Sequence, residues 1–284
     1  MEKTEIADLR NSLKEIRQSG MKIGFVPTMG YLHKGHISLV EKSVSECDYT
    51  VVSIFVNPTQ FAPTEDLERY PRDYDKDKEL LQKAGNDLIF YPSNEIMYPE
   101  TFSTWIIEDK ISKTLCGKSR PNHFRGVLTI VAKLFNLVQP DIAYFGQKDF
   151  QQAVLIKQMV SDLDIPVGIE ICQIVREPDG LAMSSRNSYL KDDERADALV
   201  FSKTLNCVSR FFSEGIKSVD TLIEEGKKYF TENCGEASLE YLEIRDAENL
   251  DEIQTIERKS VALIAGHSGP TRLIDNLILS SDSM

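Results

Sequence analysis

The chain has 284 residues, 41% hydrophobic and 27% charged, a composition that excludes a disordered or fibrous chain and a length that suits roughly two domains. Its 33 Lys and Arg against 45 Asp and Glu give a net charge of −12, which sets it against nucleic-acid backbones and anionic membrane surfaces. Five widely spaced cysteines with no C-x-x-C pair read as reduced thiols of a cytoplasmic protein, and no secretory h-region or long apolar span is visible.

Ile6 to Arg17 predicts an amphipathic helix with Ile6, Leu9, Leu13 and Ile16 on one face. Lys22 to Val26 reads as a strand ending at Pro27, and Ile37 to Cys47 as a helix. Thr50 to Val56 is a continuous β-branched run, the pattern of a parallel strand buried on both faces. A charged helix is expected over Asp73 to Ala84, then strands at Leu88 to Tyr91, Thr104 to Ile107 and Ile142 to Phe145, with an apolar helix from Val127 to Val138. A helix at Asp149 to Leu163 and a strand at Val167 to Val175 follow. This alternation predicts an α/β fold, a doubly wound parallel Rossmann-like sheet over residues 1–185. Beyond Arg186, two helices, strands at Leu239 to Ile244 and Ser260 to Ala265, and an apolar segment from Thr271 to Leu279 predict a smaller C-terminal α+β domain, residues 186–284. The hinge is expected near Ser185 to Lys191.

The most informative segment is Gly24 to Val40, GFVPTMGYLHKGHISLV. A strand leads through a turn at Gly30 to His33 and His36, which flank Gly35 at a helix start. Free N–H groups and the positive dipole end favour phosphate there, two histidines add donors, and glycine lets the backbone approach a ligand. The alternatives are a pair of surface histidines beside a helix cap, or a metal pair. Asn57 and Gln60, in FVNPTQF, stand at the carboxyl end of a buried strand, where open α/β sheets bind ligands. In FGQKDFQQ, Lys148 can neutralise a phosphate, and Asp149 can cap a helix or hold Mg²⁺. Ser184, Ser185 and Arg186, in MSSRN, can clamp a triphosphate. From Ser112 to Phe150 the charge is locally positive, with Lys113, Lys118, Arg120, Arg125, Lys133 and Lys148 against Asp141 and Asp149, which suits a small anionic ligand. Asp73, Asp75 and Asp77 read either as a metal cluster or as a solvated helix face. His123 and His267 lie in no recognisable motif.

A strand, a proline turn and H-x-G-H opening a helix resemble the signature of the adenylyltransferase and class I synthetase superfamily. Taken with FVNPTQF, YPRDYDKD, FGQKDFQQ and MSSRN, the segment PTMGYLHKGH resembles the pantothenate synthetase (pantoate–β-alanine ligase) family over essentially the whole chain. The resemblance implies that Met29, Gly30, Tyr31, Leu32, His33, Lys34, Gly35 and His36 bind ATP, as do Gly146, Gln147, Lys148, Asp149, Val175, Met183, Ser184, Ser185 and Arg186. It implies that Gln60 and Gln152 bind pantoate, with Gln60 also near β-alanine, and that Asn57 belongs to the substrate site. MSSRN is similar to the KMSKS loop of class I synthetases, which makes the C-terminal domain a lid. Lys118, Arg120 and Arg125 either close over the site or support a homodimer.

The implied reaction uses ATP and Mg²⁺. Pantoate attacks the α-phosphorus to give pantoyl adenylate and diphosphate, and β-alanine then displaces AMP to give pantothenate, a precursor of coenzyme A. His36 is the expected general acid, with His33 and Lys148 stabilising phosphate charge; no Mg²⁺ ligand is identified. Two other classes share these motifs in part: a nucleotidyltransferase without a ligation step, and a non-catalytic nucleotide-binding module. The first gives no reason for the paired Gln60 and Gln152 and would not consume β-alanine; the second would bind ATP but release no diphosphate with pantoate.

Overall fold

A computed structural model describes residues 1–280. The chain forms two compact units, one comprising residues 1–146 and 155–173, the other 147–154 and 174 onward.

The first unit holds six parallel strands: β1 (Glu2–Lys3), β2 (Ile23–Thr28), β3 (Tyr49–Ile54), β4 (Leu88–Phe90), β5 (Ile142–Gly146) and β6 (Gly168–Cys172). They stand in the order β1-β4-β3-β2-β5-β6. Counted from β2, the order β4-β3-β2-β5-β6 is that of a doubly wound sheet, and the direction of winding reverses between β2 and β5. The crevice at the carboxyl ends of these two strands is where such sheets bind ligands. The β2–β5 ladder ends at Phe25, whereas β2 continues beside β3 through Pro27 to Thr28. Pro27 therefore does not end the strand. It lies beyond the β5 ladder, where β2 is paired on one side and a missing N–H is tolerated.

Alternate residues of these strands feed opposite faces. Val26, Val52, Ile89 and Tyr144 pack with Leu39 and Val40 of α2 (Lys34–Glu46) and Leu81 of α3 (Tyr74–Ala84). On the other face Phe25 and Phe145 meet Phe135 edge-on. Phe135 belongs to α6 (His123–Val138), beside which α1 (Ile6–Gln18) buries Leu9 and Leu13. Two short helices, α4 (Asn94–Met97) and α5 (Cys116–Ser119), lie in the connection to α6.

The second unit packs α8 (Asp192–Ser213) and α9 (Val219–Asn233) on an antiparallel sheet of β7 (Ser238–Asp246), β8 (Ser260–Ser268) and β9 (Thr271–Leu279). Phe201, Leu205, Leu222, Phe230, Ile244, Ile264 and Leu273 form its core. Helix α7 (Phe150–Asp162) begins in this unit and ends in the other.

Three expectations require correction. Thr104–Ile107 is not a strand. The Ile106 N–H donates to Thr129 Oγ1 at 3.0 Å, and Trp105 packs against Tyr98, Phe102 and the Arg125 guanidinium, so side chains of its own unit take the place of a ladder. Helix α6 starts at His123, four residues before Val127. The second unit starts at Ile174, not at residue 186, and includes 147–154. Arg176 bridges to Ala182, and its guanidinium pairs with Asp275 of β9 at 2.7 and 3.0 Å, which ties the chain before the predicted hinge to the C-terminal sheet.

Candidate active site

The turn after β2 is held from beneath. Gly30 has φ +82° and Tyr31 φ +50°, left-handed backbone that glycine adopts at no steric cost. Asp77, 1% exposed, accepts the N–H groups of Tyr31 at 2.7 Å and Leu32 at 2.6 Å. Burial pushes the Asp77 carboxyl above its usual value, against the lowering by these two donors. Asp77 is thus neither a metal ligand nor part of a solvated face, and Asp73 caps α3 by accepting the Lys76 N–H at 3.2 Å. Among the described residues no group of three or more His, Cys, Asp or Glu is arranged to hold a metal ion. Asp77 was legible as an inward residue: it stands one helical turn before Leu81, which is fully buried.

His33 and His36 form a reciprocal cap on α2. His33 Nδ1 accepts the Gly35 N–H at 3.1 Å, and His36 Nδ1 accepts the His33 N–H at 3.3 Å. The rings lie 4.0 Å apart, tilted by 32°. With Nδ1 accepting, the proton of each neutral ring is on Nε2. The cap and donor readings of this pair are therefore compatible, because each uses a different ring nitrogen. The first turn of α2 itself carries no acid. Lys34 is exposed, and Leu32 is buried.

Met29, Asn57 and Gln60 come together at the ends of β2 and β3. Asn57, 1% exposed, donates to Gln60 Oε1 at 3.0 Å and to the Gly126 carbonyl at 3.2 Å. Its own Oδ1 accepts from Thr59 Oγ1 at 2.9 Å and from the Thr59 N–H at 3.4 Å, the second of which caps the 3₁₀ turn Pro58–Gln60. Gln60 Nε2 lies 3.1 Å from Met29 Sδ. Arg120 joins this cluster directly, Nη2 donating to the Gln60 carbonyl at 3.4 Å, and is itself held by Glu65 at 2.6 and 2.9 Å. Burial raises the Glu65 carboxyl, but the Arg120 guanidinium and the Ala62 N–H outweigh it, so Glu65 sits below its usual value. His123 bonds the Gln60 carbonyl at 2.8 Å. Of the basic trio, Arg120 serves the Gln60 turn and Arg125 stacks on Trp105 at 4.5 Å.

In the second unit, Gln147–Asp149 form a 3₁₀ turn held by Asn276 of β9. Asn276 Nδ2 donates to the carbonyls of Gln147 at 2.9 Å and Lys148 at 3.0 Å, and its Oδ1 accepts from Gln147 Nε2 at 3.1 Å. Sequence reasoning did not single out Asn276; the one signal is two polar residues, Asp275 and Asn276, inside the apolar run TRLIDNLIL. Gln151 is buried and Gln152 half-buried, which separates the two neighbours as helical spacing predicts. Met183 donates to the Val175 carbonyl at 3.0 Å, so two residues expected at ATP are bonded to each other. Ser184 Oγ accepts the Arg186 N–H at 3.3 Å and caps the 3₁₀ turn Ser185–Tyr189. All five cysteines are free thiols, and no helix among the described residues is long and apolar enough to cross a membrane.

The sequence profile described as Pantoate-beta-alanine ligase matches residues 3–278. The chain belongs to that family. A pantothenate synthetase of Thermotoga petrophila is 50% identical over 274 residues, covering 96% of this chain and 98% of its own. The crystal structure of pantothenate synthetase from Thermus thermophilus superposes with a TM-score of 0.92 at 43% identity, covering 97% of this chain and 98% of that one. A pantoate–β-alanine ligase from Francisella tularensis, crystallised with β-γ ATP and β-alanine, gives a TM-score of 0.80 at 35% identity over 98% of this chain and 97% of that one. The parallel six-stranded sheet with its small antiparallel C-terminal partner is thus the fold of pantothenate synthetases, and as a member of this family the chain is an enzyme, a ligase of pantothenate biosynthesis.

Proposed function

We propose that the chain joins pantoate to β-alanine at the expense of ATP, with the residues named above in the following roles. In the first step a pantoate carboxylate oxygen attacks the α-phosphorus and diphosphate leaves. In the second, the β-alanine amine attacks the acyl carbon of pantoyl adenylate, AMP leaves with the acyl C–O bonding pair, and the amine nitrogen gives up a proton. No covalent bond to the protein forms, so its work is positioning and charge stabilisation. The observation that carries this reading is the reciprocal His33–His36 cap: it fixes both rings at a helix N-terminus whose first turn carries no acid, an arrangement that favours phosphate. His36 acts as general acid through Nε2, with His33 and Lys148 countering charge on the departing diphosphate. Met29 to His36, Gly146 to Asp149, Val175 and Met183 to Arg186 bind ATP; Gln60, Asn57 and Gln152 bind pantoate.

Mg²⁺ fits this set as an ion that arrives with the nucleotide. Asp77 and Asp73 are committed to backbone N–H groups, whereas the side chain of Asp149 is about half exposed, at 49%, and its nearest cation is Lys148 Nζ at 3.7 Å. One carboxylate with water and phosphate oxygens is an ordinary Mg²⁺ environment, and Asp149 would supply that carboxylate. When bound, Mg²⁺ screens charge on the β- and γ-phosphates. A homodimer and a cytoplasmic location complete the proposal. The free thiols suit a reducing compartment, and a solution mass twice that of one chain would establish the dimer.

Diphosphate release tests the assignment. It should appear with ATP and pantoate, and pantothenate should follow only when β-alanine is added. A nucleotidyltransferase would ignore β-alanine, and a binding module would release no diphosphate. His36→Ala and Lys148→Ala should each slow diphosphate release by roughly 10²- to 10³-fold. The His36 variant should also lose about 1 kcal/mol of stability with its cap. Near-normal turnover of either variant would exclude its role.

A further inference from the structure

The first unit contains a linked set of polar groups that ends on the backbone of Gln60. The carbonyl of Gln60 closes the 3₁₀ turn Pro58–Gln60, a position whose acceptor has no partner within the turn itself. His123 Nδ1 lies 2.8 Å from this oxygen, and His123 Nε2 lies 3.1 Å from Arg120 Nη1. A carbonyl only accepts and a guanidinium only donates, so Nδ1 carries the ring proton, Nε2 carries the lone pair, and the ring is neutral. Arg120 is fixed in turn by Glu65, through Nε at 2.6 Å and Nη2 at 2.9 Å. Glu65 therefore orients Arg120, and Arg120 selects the tautomer of His123; the Gln60 carbonyl is then held chiefly by His123 at 2.8 Å, with Arg120 Nη2 a longer second donor at 3.4 Å.

We propose that His123 is a positioning residue for the ligation reaction, holding the side chain of Gln60 in register for pantoate by bonding its backbone carbonyl through the Nδ1–H tautomer that Arg120 enforces. The inference rests on the assignment of Gln60 to pantoate made above. Gln60 is 9% exposed, and its amide is already bonded on one side to Asn57 and on the other to Met29. A shift of the turn breaks both contacts together, because the amide cannot follow both partners. His123 itself packs edge-on against Phe124, next to it at the start of α6, so its ring is anchored to a helix of the sheet and not to the turn it holds.

Steady-state kinetics of the full-length enzyme with both substrates varied provide the test. His123→Ala should raise KM for pantoate by about tenfold, a change of the size expected for one lost positioning hydrogen bond, while KM for ATP changes less than about twofold. His123→Asn places an amide donor where Nδ1–H stood and should restore most of the loss; His123→Gln, whose amide reaches the Nε2 position, should not. The decisive variant is the pair. In a Gln60→Ala background, His123→Ala should have no further effect on pantoate KM, because the side chain it positions is gone. An equal additional loss in that background, or parallel increases in pantoate and ATP KM, would overturn the proposal and leave His123 a structural residue. A Gln60→Ala enzyme with unchanged pantoate KM would remove the Gln60 assignment and the inference with it.

Discussion

At the Lys148 turn, one amide side chain supplies three hydrogen bonds. Asn276, 1% exposed, donates to two carbonyls and accepts from Gln147, and no other residue type of its size does both. Asn276→Ala leaves two part-buried carbonyls without these donors and should cost about 1–3 kcal/mol at ~0.5–1.5 kcal/mol per lost hydrogen bond, read as a lower urea midpoint, together with slower diphosphate release. Asn276→Asp should restore neither, because an ionised carboxylate cannot donate to either carbonyl. Glu65 governs a pH response at the same scale. Its folded carboxyl lies below the ordinary glutamate value of 4.5, so the unfolded chain takes up a proton first on acidification. The Glu65 contribution is fully present above that value and is lost as pH falls through the folded one. The difference in Tm between the parent and Glu65→Gln should therefore be constant at neutral pH and shrink below about pH 4.5.

Element-level contacts explain why glycine is needed in α6. A Cβ on Gly126 would stand 2.4 Å from the Thr59 carbonyl oxygen and 2.7 Å from the Gln60 nitrogen, both backbone atoms of the turn that presents Gln60. Alanine gains up to about 1 kcal/mol of helix propensity over glycine, but overpacking against backbone costs ~1–3 kcal/mol, and at these distances the second effect dominates. Gly126→Ala should lower stability and raise pantoate KM with little change for ATP, a split that a purely local helix effect would not produce. Gln60 is thus set by α6 twice, by the close approach of its backbone nitrogen to Gly126 and by hydrogen bond from His123. Neither was visible from FVNPTQF itself, which identifies the loop but not what it rests against.

At the scale of the whole molecule, each unit has its own core, and damage should stay local. Phe201, 2% exposed, packs at 5.5 Å against Phe230 in the second unit. Phe201→Ala should cost about 3–5 kcal/mol. Hydrogen exchange should then show loss of protection in α8 and β7–β9 before β2 and β3. Uniform loss across both sheets would mean that the units unfold as one.

The sequence by itself determined the alternation of strands and helices, the family, and the loops that carry His33, His36, Gln60, Lys148 and Arg186, because periodicity and turn chemistry are local and the motifs are contiguous. It grouped Asp77 with Asp73 and Asp75, as a metal cluster or a solvated helix face, although the spacing from Leu81 points inward. Only the tertiary structure decided that Asp77 grips the Gly30–Leu32 turn, that Asn276 holds Lys148 from 128 residues away, and that Thr104–Ile107 finds its partners in side chains. It likewise moved the start of the second unit to Ile174. Each of these depends on hydrogen bonds or packing between segments distant in the chain, and such partners follow from the path of the backbone, which no local pattern encodes.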